Sequence, residues 1–192
     1  MSQETANQPL RFKTFEAYLN WEEQQPTRFE LHDGYVVAMA GASETHNRIA
    51  DNVALLLNQH YGLRGRCHAF RAEMKLRVGD LKSRYPDIFV ACEEPGDRRF
   101  FDDARLVVEV ISPDYASKDL VEAPVEYTRL VRLEQYIVID SRKRAAWSHI
   151  RQNDGRFVLV PAENERIEIP CENVTLSFDE LYAGTMLDAG RA

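Results

Sequence analysis

At 192 residues, 44% hydrophobic and 10% aromatic, the chain is long enough to bury one sizeable core and too apolar for a disordered segment. No stretch approaches the ~18–20 apolar residues of a membrane span, and residues 1–11 are polar, so neither a spanning helix nor a signal peptide is expected. The net charge of −7 argues, as a whole-molecule average, against a nucleic-acid partner.

In chain order, residues 1–9 read as a loose terminus. Thr14 has the form of a helix N-cap ahead of Phe15, Tyr18, Leu19 and Glu22, and Pro26 bounds that helix. Arg28-Phe29-Glu30-Leu31 is a short strand, His32-Asp33-Gly34 a hairpin turn and residues 35–40 the return strand. Ser43 caps a long helix in which His46, Ile49, Ala50, Val53, Leu56, Leu57 and His60 recur at helical spacing until Gly62. Two strands follow, over about 67–73 and 75–78. They carry much of a basic run (Arg64, Arg66, Arg71, Lys75, Arg77, Lys82, Arg84) that is opposed only by Glu73 and Asp80. Residues 79–84 read as a polar loop, and Pro86 marks the entry to a strand over 85–92.

Residues 93–103 form a charged loop. Leu106-Val107-Val108-Glu109-Val110-Ile111-Ser112-Pro113 then reads as a strand covered on both faces. Residues 112–117 turn the chain into a helix over about 118–131, where Pro124 requires either a start near Glu122 or a kink. Residues 134–140 are another covered strand, and strand–crossover helix–strand predicts a parallel pair. A hairpin (145–152 and 156–161), short strands at 167–169 and 174–176 and a helical turn at 178–182 complete the chain. The expectation is a single α/β domain (α+β in some schemes), with residues 1–12 loose and 14–183 as its body. A second basic cluster is Arg142-Lys143-Arg144, and the acidic surplus lies in residues 163–188. Cys67, Cys92 and Cys171 lie far apart with no CxxC pair, which reads against a disulfide framework or zinc knuckle and points to a reducing cytoplasm.

An ionised Glu109 inside an apolar strand costs several kcal/mol unless a cation pairs with it. Asp87, opening another strand, offers a second carboxylate. Two such oxygens with a backbone carbonyl and waters suit Mg²⁺ or Mn²⁺. The other reading has Asp87 capping its strand and Glu109 paired with Arg71 or Lys75 in the core. His46, in a helix's first turn, is either a polar boundary residue or a proton carrier or phosphate contact facing the same pocket. Glu30 alternates with Phe29 and Leu31, which turns it towards solvent.

Phe29-Glu30-Leu31 with Asp33-Gly34, His46, Pro86-Asp87, Val108 to Pro113, Asp119 with Tyr127, and Glu134-Gln135-Tyr136 with Asp140 follow one another in an order that resembles the Uma-two family of restriction-endonuclease-like proteins. That family is similar to the PD-(D/E)xK nucleases, and the resemblance runs over about residues 14–183. It implies a restriction-endonuclease-like core: a mixed central sheet flanked by helices, with an extra N-terminal helix and hairpin and a C-terminal β-hairpin. It also implies Asp87 and Glu109 as ligands of Mg²⁺ or Mn²⁺, the Ile111 carbonyl as a further ligand, and Glu30 and His46 as catalytic residues flanking them.

The superfamily's lysine, two residues after the glutamate, is Ile111 here. The lysine that family members carry on the following helix, four residues after an Asp and four before a Tyr, is Ala123. A lysine there would orient or deprotonate the attacking water, which alanine does not. Lys118 and Lys75 are the nearby alternatives. The implied activity is hydrolysis of DNA phosphodiester bonds, with Arg71, Lys75 and Arg77 on phosphates and a homodimer as the working form. The missing lysine and the acidic balance favour instead a protein of this fold that binds nucleic acid or a protein partner without cutting it.

Overall fold

The computed structural model describes residues 10–39, 41–62, 65–94, 96–111 and 122–188. Expectations for residues 1–9, Arg64 and residues 112–121, which include Lys118 and Asp119, lie outside the described residues. Helix α1 (Phe15–Glu22) is capped by Thr14 Oγ1, which accepts the Ala17 N–H. Strands β1 (Phe29–His32) and β2 (Tyr35–Ala38) make the Asp-Gly hairpin, whose Asp33 and Gly34 take φ of 51° and 90° as a type I′ turn requires. Helix α2 (Glu44–Tyr61) starts where Ser43 Oγ accepts the His46 N–H and ends at Gly62.

Then come β3 (His68–Arg71), β4 (Lys75–Gly79), β5 (Lys82–Arg84), β6 (Ile88–Ala91), β7 (Phe100–Phe101), β8 (Leu106–Ile111) and helix α3 (Glu122–Tyr127). The rest is β9 (Gln135–Asp140), β10 (Ala146–Arg151), β11 (Phe157–Pro161), β12 (Arg166–Ile169), β13 (Val174–Ser177) and α4 (Phe178–Leu181). Pro124 is the third residue of α3, in the first turn, where its missing N–H would have had no helical partner. The later of the two expected helix starts is therefore the one observed.

A mixed sheet of order β11-β10-β9-β8-β6-β3 forms the centre, with β8 and β9 parallel as expected and its other pairs antiparallel. On one face α2 lays Ile49, Val53 and Leu57 against Val90, Leu106, Val108 and Val110. Each such side chain contributes about 1.5–3 kcal/mol on burial. On the other face Tyr127, Leu130 and Leu133 meet Val107, Ile111, Tyr136 and Val138. A second sheet of order β2-β1-β5-β4-β7 carries α1 against Leu31, and β12-β13 form a third. This is a mixed α+β fold. Among the described residues no helix is long and apolar enough to cross a membrane.

Several expectations need correction. Phe100–Phe101, inside the expected loop over 93–103, pairs with β4 as a strand, and α3 ends at Tyr127, short of 131. Residues 82–84 form a strand, not part of a loop: Ser83 is buried facing Tyr18, while Lys82 and Arg84, two residues apart and so on one face, both grip Glu126. The charges that made the segment look like a loop are neutralised by an α3 carboxylate. Cys67 and Cys92 extend the β3–β6 ladder by one rung beyond His68↔Ala91 and are disulfide-bonded, with Cα atoms 3.9 Å apart. Their separation of 25 in sequence conceals a cross-strand contact. The expected reducing compartment, which rested on unpaired cysteines, loses that support.

Candidate metal centre

The order of strands brings Asp87 to Glu109. In the ladder of β6 with β8, Ile88 faces Val108, so Asp87, just before β6, comes opposite Glu109. Each carboxylate then bonds the other's strand. Asp87 N–H donates to Glu109 Oε2 at 3.2 Å, and Val110 N–H donates to Asp87 Oδ2 at 2.8 Å. Glu109 is the one position of β8 that is not fully buried. Its other oxygen accepts the Tyr127 hydroxyl at 2.7 Å.

Among the described residues no Lys, Arg or His makes an ion pair with Glu109. Arg71 is ion-paired with Asp51, and Lys75 donates to Glu22 Oε2 at 3.0 Å. The core ion pair that was the alternative to a metal is thus absent there. Burial, and then the charge of Asp87, hold the Glu109 carboxyl well above the usual carboxylate range, even though the Tyr127 and Asp87 donors pull it down. The Tyr127 hydroxyl is pushed up by its own burial and by Glu109.

His46 and Glu30 both come to this place. His46 Nε2 lies 2.9 Å from Asp87 Oδ1, and its Nδ1 is buried without a partner. With Nε2–H donating to Asp87, a neutral ring leaves Nδ1 as a bare acceptor. Glu30 does not face open solvent: Oε1 accepts the Tyr85 N–H at 3.0 Å and Oε2 lies 2.8 Å from His32 Nε2. Glu30 thereby fixes the backbone two residues before Asp87, and its charge adds to the pressure on Glu109.

Residues that the sequence did not single out complete the setting. Glu126 is held by Arg84 and by Lys82 at 3.0 Å, which docks α3 and so aims Tyr127 at Glu109. Burial pushes the Glu126 carboxyl up, but the two cations outweigh it and its pKa falls. The usable signal was the crossover itself, since a helix between two parallel neighbours must pack over them.

The Ile111 carbonyl does not face the carboxylate pair. A strand residue's N–H and C=O share one edge, and successive residues alternate. Ile111 O points to the β9 edge, where it accepts Ser141 Oγ at 2.8 Å and Ser141 N–H at 3.2 Å. Val110, whose N–H meets Asp87, has its carbonyl on the Asp87 edge. Lys75 is likewise misplaced as a phosphate contact. It is 3% exposed, with Glu22 as its partner and the Tyr18 ring 4.5 Å from its ammonium. Burial lowers its pKa and Glu22 opposes that.

Arg71, opposite Ile88, is half exposed on the α2 face of the sheet, where it pairs with Asp51, while Glu109 belongs to the other face. Arg77 lies on β4 of the other sheet, 4.8 Å over the Phe15 ring and 3.6 Å from both Asp80 and Asp102, apart from the carboxylate pair. Lys118 lies outside the described residues. Ala123 belongs to α3, one turn before Tyr127.

The donor set suits a hard cation. It offers two carboxylates and a carbonyl edge, and among the described residues no cluster of three or more His, Cys, Asp or Glu could hold a metal. Mg²⁺ is commonly bound by one or two carboxylates while keeping waters. The buried, mutually repelling carboxylates are the observation that fits such a charge.

With this geometry in place, comparison with known proteins gives one consistent answer. The model of the Uma2 family, described as “Putative restriction endonuclease”, matches residues 15–180. Two uncharacterized proteins of Synechocystis sp. are similar along most of their length. One, slr1290, is 28% identical over 174 residues, covering 88% of this chain and 90% of that protein. The other, sll1609, is 30% identical over 160 residues, covering 79% and 88%. Among solved structures, “a putative nuclease belonging to DUF820” from Anabaena variabilis superposes with a TM-score of 0.68 at 18% identity, over 85% of this chain and 96% of that one. At that identity the likeness shows the fold, which the two proteins share.

Proposed function

We propose that this chain, which belongs to the Uma2 family, is a Mg²⁺- or Mn²⁺-dependent DNA phosphodiesterase whose turnover is weakened by the alanine at position 123. The observation that carries this reading is Glu109: a buried carboxylate beside a second one, with no cationic side chain on it among the described residues. A divalent cation held by Asp87, Glu109 and the Val110 carbonyl would supply Lewis acidity to a phosphoryl oxygen and lower the pKa of water. His46 holds Asp87 in place and presents Nδ1 as an acceptor. Tyr127 and Glu30 fix the orientation of Glu109 and of the Tyr85–Asp87 segment. Arg71, half exposed and paired with Asp51, would contact a phosphate at the α2 side of the sheet. Cutting both strands of a duplex calls for two such sites, which a homodimer would provide.

Position 123 comes four residues, about one helical turn, before Tyr127 in the sequence of α3. General acid–base catalysis of the kind a lysine there would add is worth about 10²–10⁴-fold. Supercoiled-plasmid nicking with Mg²⁺ and with Mn²⁺ tests the reading. We expect slow nicking by the natural sequence and at least about tenfold faster nicking by Ala123→Lys. If neither protein nicks DNA, the phosphodiesterase reading is wrong. In that case retained DNA binding would support the second reading, a non-cutting DNA-binding protein, which Ala123 itself favours.

A further inference from the structure

Trp147 stands in the same cross-strand row as Glu109. The pairs Glu109↔Val138 and Val138↔Trp147 place the three side chains on one face of the central sheet. Two strand spacings set the outer Cα atoms about 10 Å apart. Trp147 packs at the margin of the core that Tyr127 and Val138 share and is itself only partly buried. Lys143 Nζ lies 5.8 Å from the centroid of that ring.

The turn that presents Lys143 continues from Asp140, which pairs with Ile111. It therefore projects from the end of the sheet nearest to where Asp87 meets Glu109. Its three cations are not equivalent. Arg142 is bound through two bonds to Asp140, and Arg144 is bound to Glu165 and Asp179. Lys143 is exposed and feels the Asp140 charge more weakly than Arg142 does, and among the described residues no carboxylate makes a close ion pair with its ammonium.

We infer that Trp147 and Lys143 form a nucleotide subsite for the strand whose phosphate lies at Asp87 and Glu109. The Trp147 ring stacks a base, and the Lys143 ammonium moves off the ring onto a neighbouring phosphate. This rests on the nuclease reading above for the identity of the ligand. Stacked nucleotides rise about 3.4 Å each along a strand, so about 10 Å corresponds to two or three nucleotides from the carboxylate pair. At 5.8 Å the ammonium is near the ~6 Å limit of cation–π contact, so it gives up little on leaving the ring. Stacking tolerates every base, and a lysine on a phosphate carries no sequence information. The subsite therefore adds affinity without a recognition sequence.

The test uses the full chain carrying Glu109→Gln, so that no strand is cut and no metal is needed, with a labelled single-stranded oligodeoxynucleotide in EDTA. Trp147→Ala should weaken binding about tenfold, and Trp147→Phe should restore most of it. Lys143→Ala should lower the slope of log K against log salt by about 0.7. Quenching of tryptophan fluorescence by the oligonucleotide should largely vanish in Trp147→Phe, which leaves Trp21. An oligoribonucleotide of the same sequence identifies the strand served as the one that loses more affinity in Trp147→Ala. Unchanged affinity in Trp147→Ala together with an unchanged salt slope in Lys143→Ala would overturn the subsite, as would undiminished quenching in Trp147→Phe. Because no metal takes part, this result can go against the subsite while cation binding at Asp87 and Glu109 stands, or the reverse.

Discussion

Asp87 and Glu109 are tied to each other through their backbones: the Asp87 N–H bonds the Glu109 carboxylate at 3.2 Å, and the Asp87 carboxylate bonds the N–H of Val110, the residue after Glu109, at 2.8 Å. These bonds hold two like charges together in a place that repels both. Neither strand can move away without leaving a buried donor unpaired, a loss of about 1–3 kcal/mol. The frustration is local and is relieved by a proton or by a cation.

The proton gives a pH-dependent prediction. The folded-state pKa of Glu109 is raised above its ordinary value of 4.5, so between that value and the raised one the native state binds more protons than the unfolded chain. Stability contributed by the neutral carboxyl is fully present below the ordinary value and is lost as pH rises through the raised one. In EDTA, Glu109→Gln should therefore melt higher than the natural sequence at neutral pH, by about 2–4 °C for each kcal/mol relieved, and the two should converge in acid. Equal or lower melting temperatures for Glu109→Gln at neutral pH would contradict this electrostatic picture.

Tyr127 offers a second test. Its hydroxyl favours the charged form of Glu109 and so helps a cation compete with the proton. Tyr127→Phe should reduce Mn²⁺ affinity about tenfold, as the loss of a ligand's hydrogen-bond partner usually does, and should cost about 1 kcal/mol of stability. Calorimetry and thermal melts on one preparation separate the two effects. An unchanged Mn²⁺ affinity would leave Tyr127 a purely structural residue.

Lys75 and Arg71 should part company. Lys75→Met leaves Glu22 buried and unpaired and should destabilise the fold by about 3–5 kcal/mol, while the salt dependence of DNA binding stays as it was. Arg71→Ala should do the opposite, sparing stability and lowering the salt slope by about 0.7–0.9. A reversed pattern in denaturation and salt-titration experiments would restore Lys75 as a phosphate contact.

Much of this was legible in the sequence because the local signals agreed. Thr14 and Ser43 capped the helices they announced, Asp33-Gly34 turned its hairpin, and the apolar runs about Glu109 and Ile137 paired in parallel. The carboxylate pair followed from Pro86-Asp87 and Glu109 as the resemblance placed them. What escaped was set by partners distant in sequence. Lys82-Ser83-Arg84 is a strand because Glu126 sits over it, and Cys67 meets Cys92 because β3 and β6 align. Lys75 went wrong because a lysine's fate depends on whether a buried glutamate awaits it. The Ile111 carbonyl turned out to face β9 because sequence does not show which strand edge a carbonyl faces.

The central claim, that Asp87 and Glu109 together hold a divalent cation, is tested most directly by calorimetric titration with Mn²⁺ at neutral pH and again in mild acid. The structure predicts binding to the natural sequence that weakens as the pH falls and Glu109 keeps its proton, and that disappears in both Asp87→Asn and Glu109→Gln. Mn²⁺ binding that survives both substitutions unchanged would contradict it.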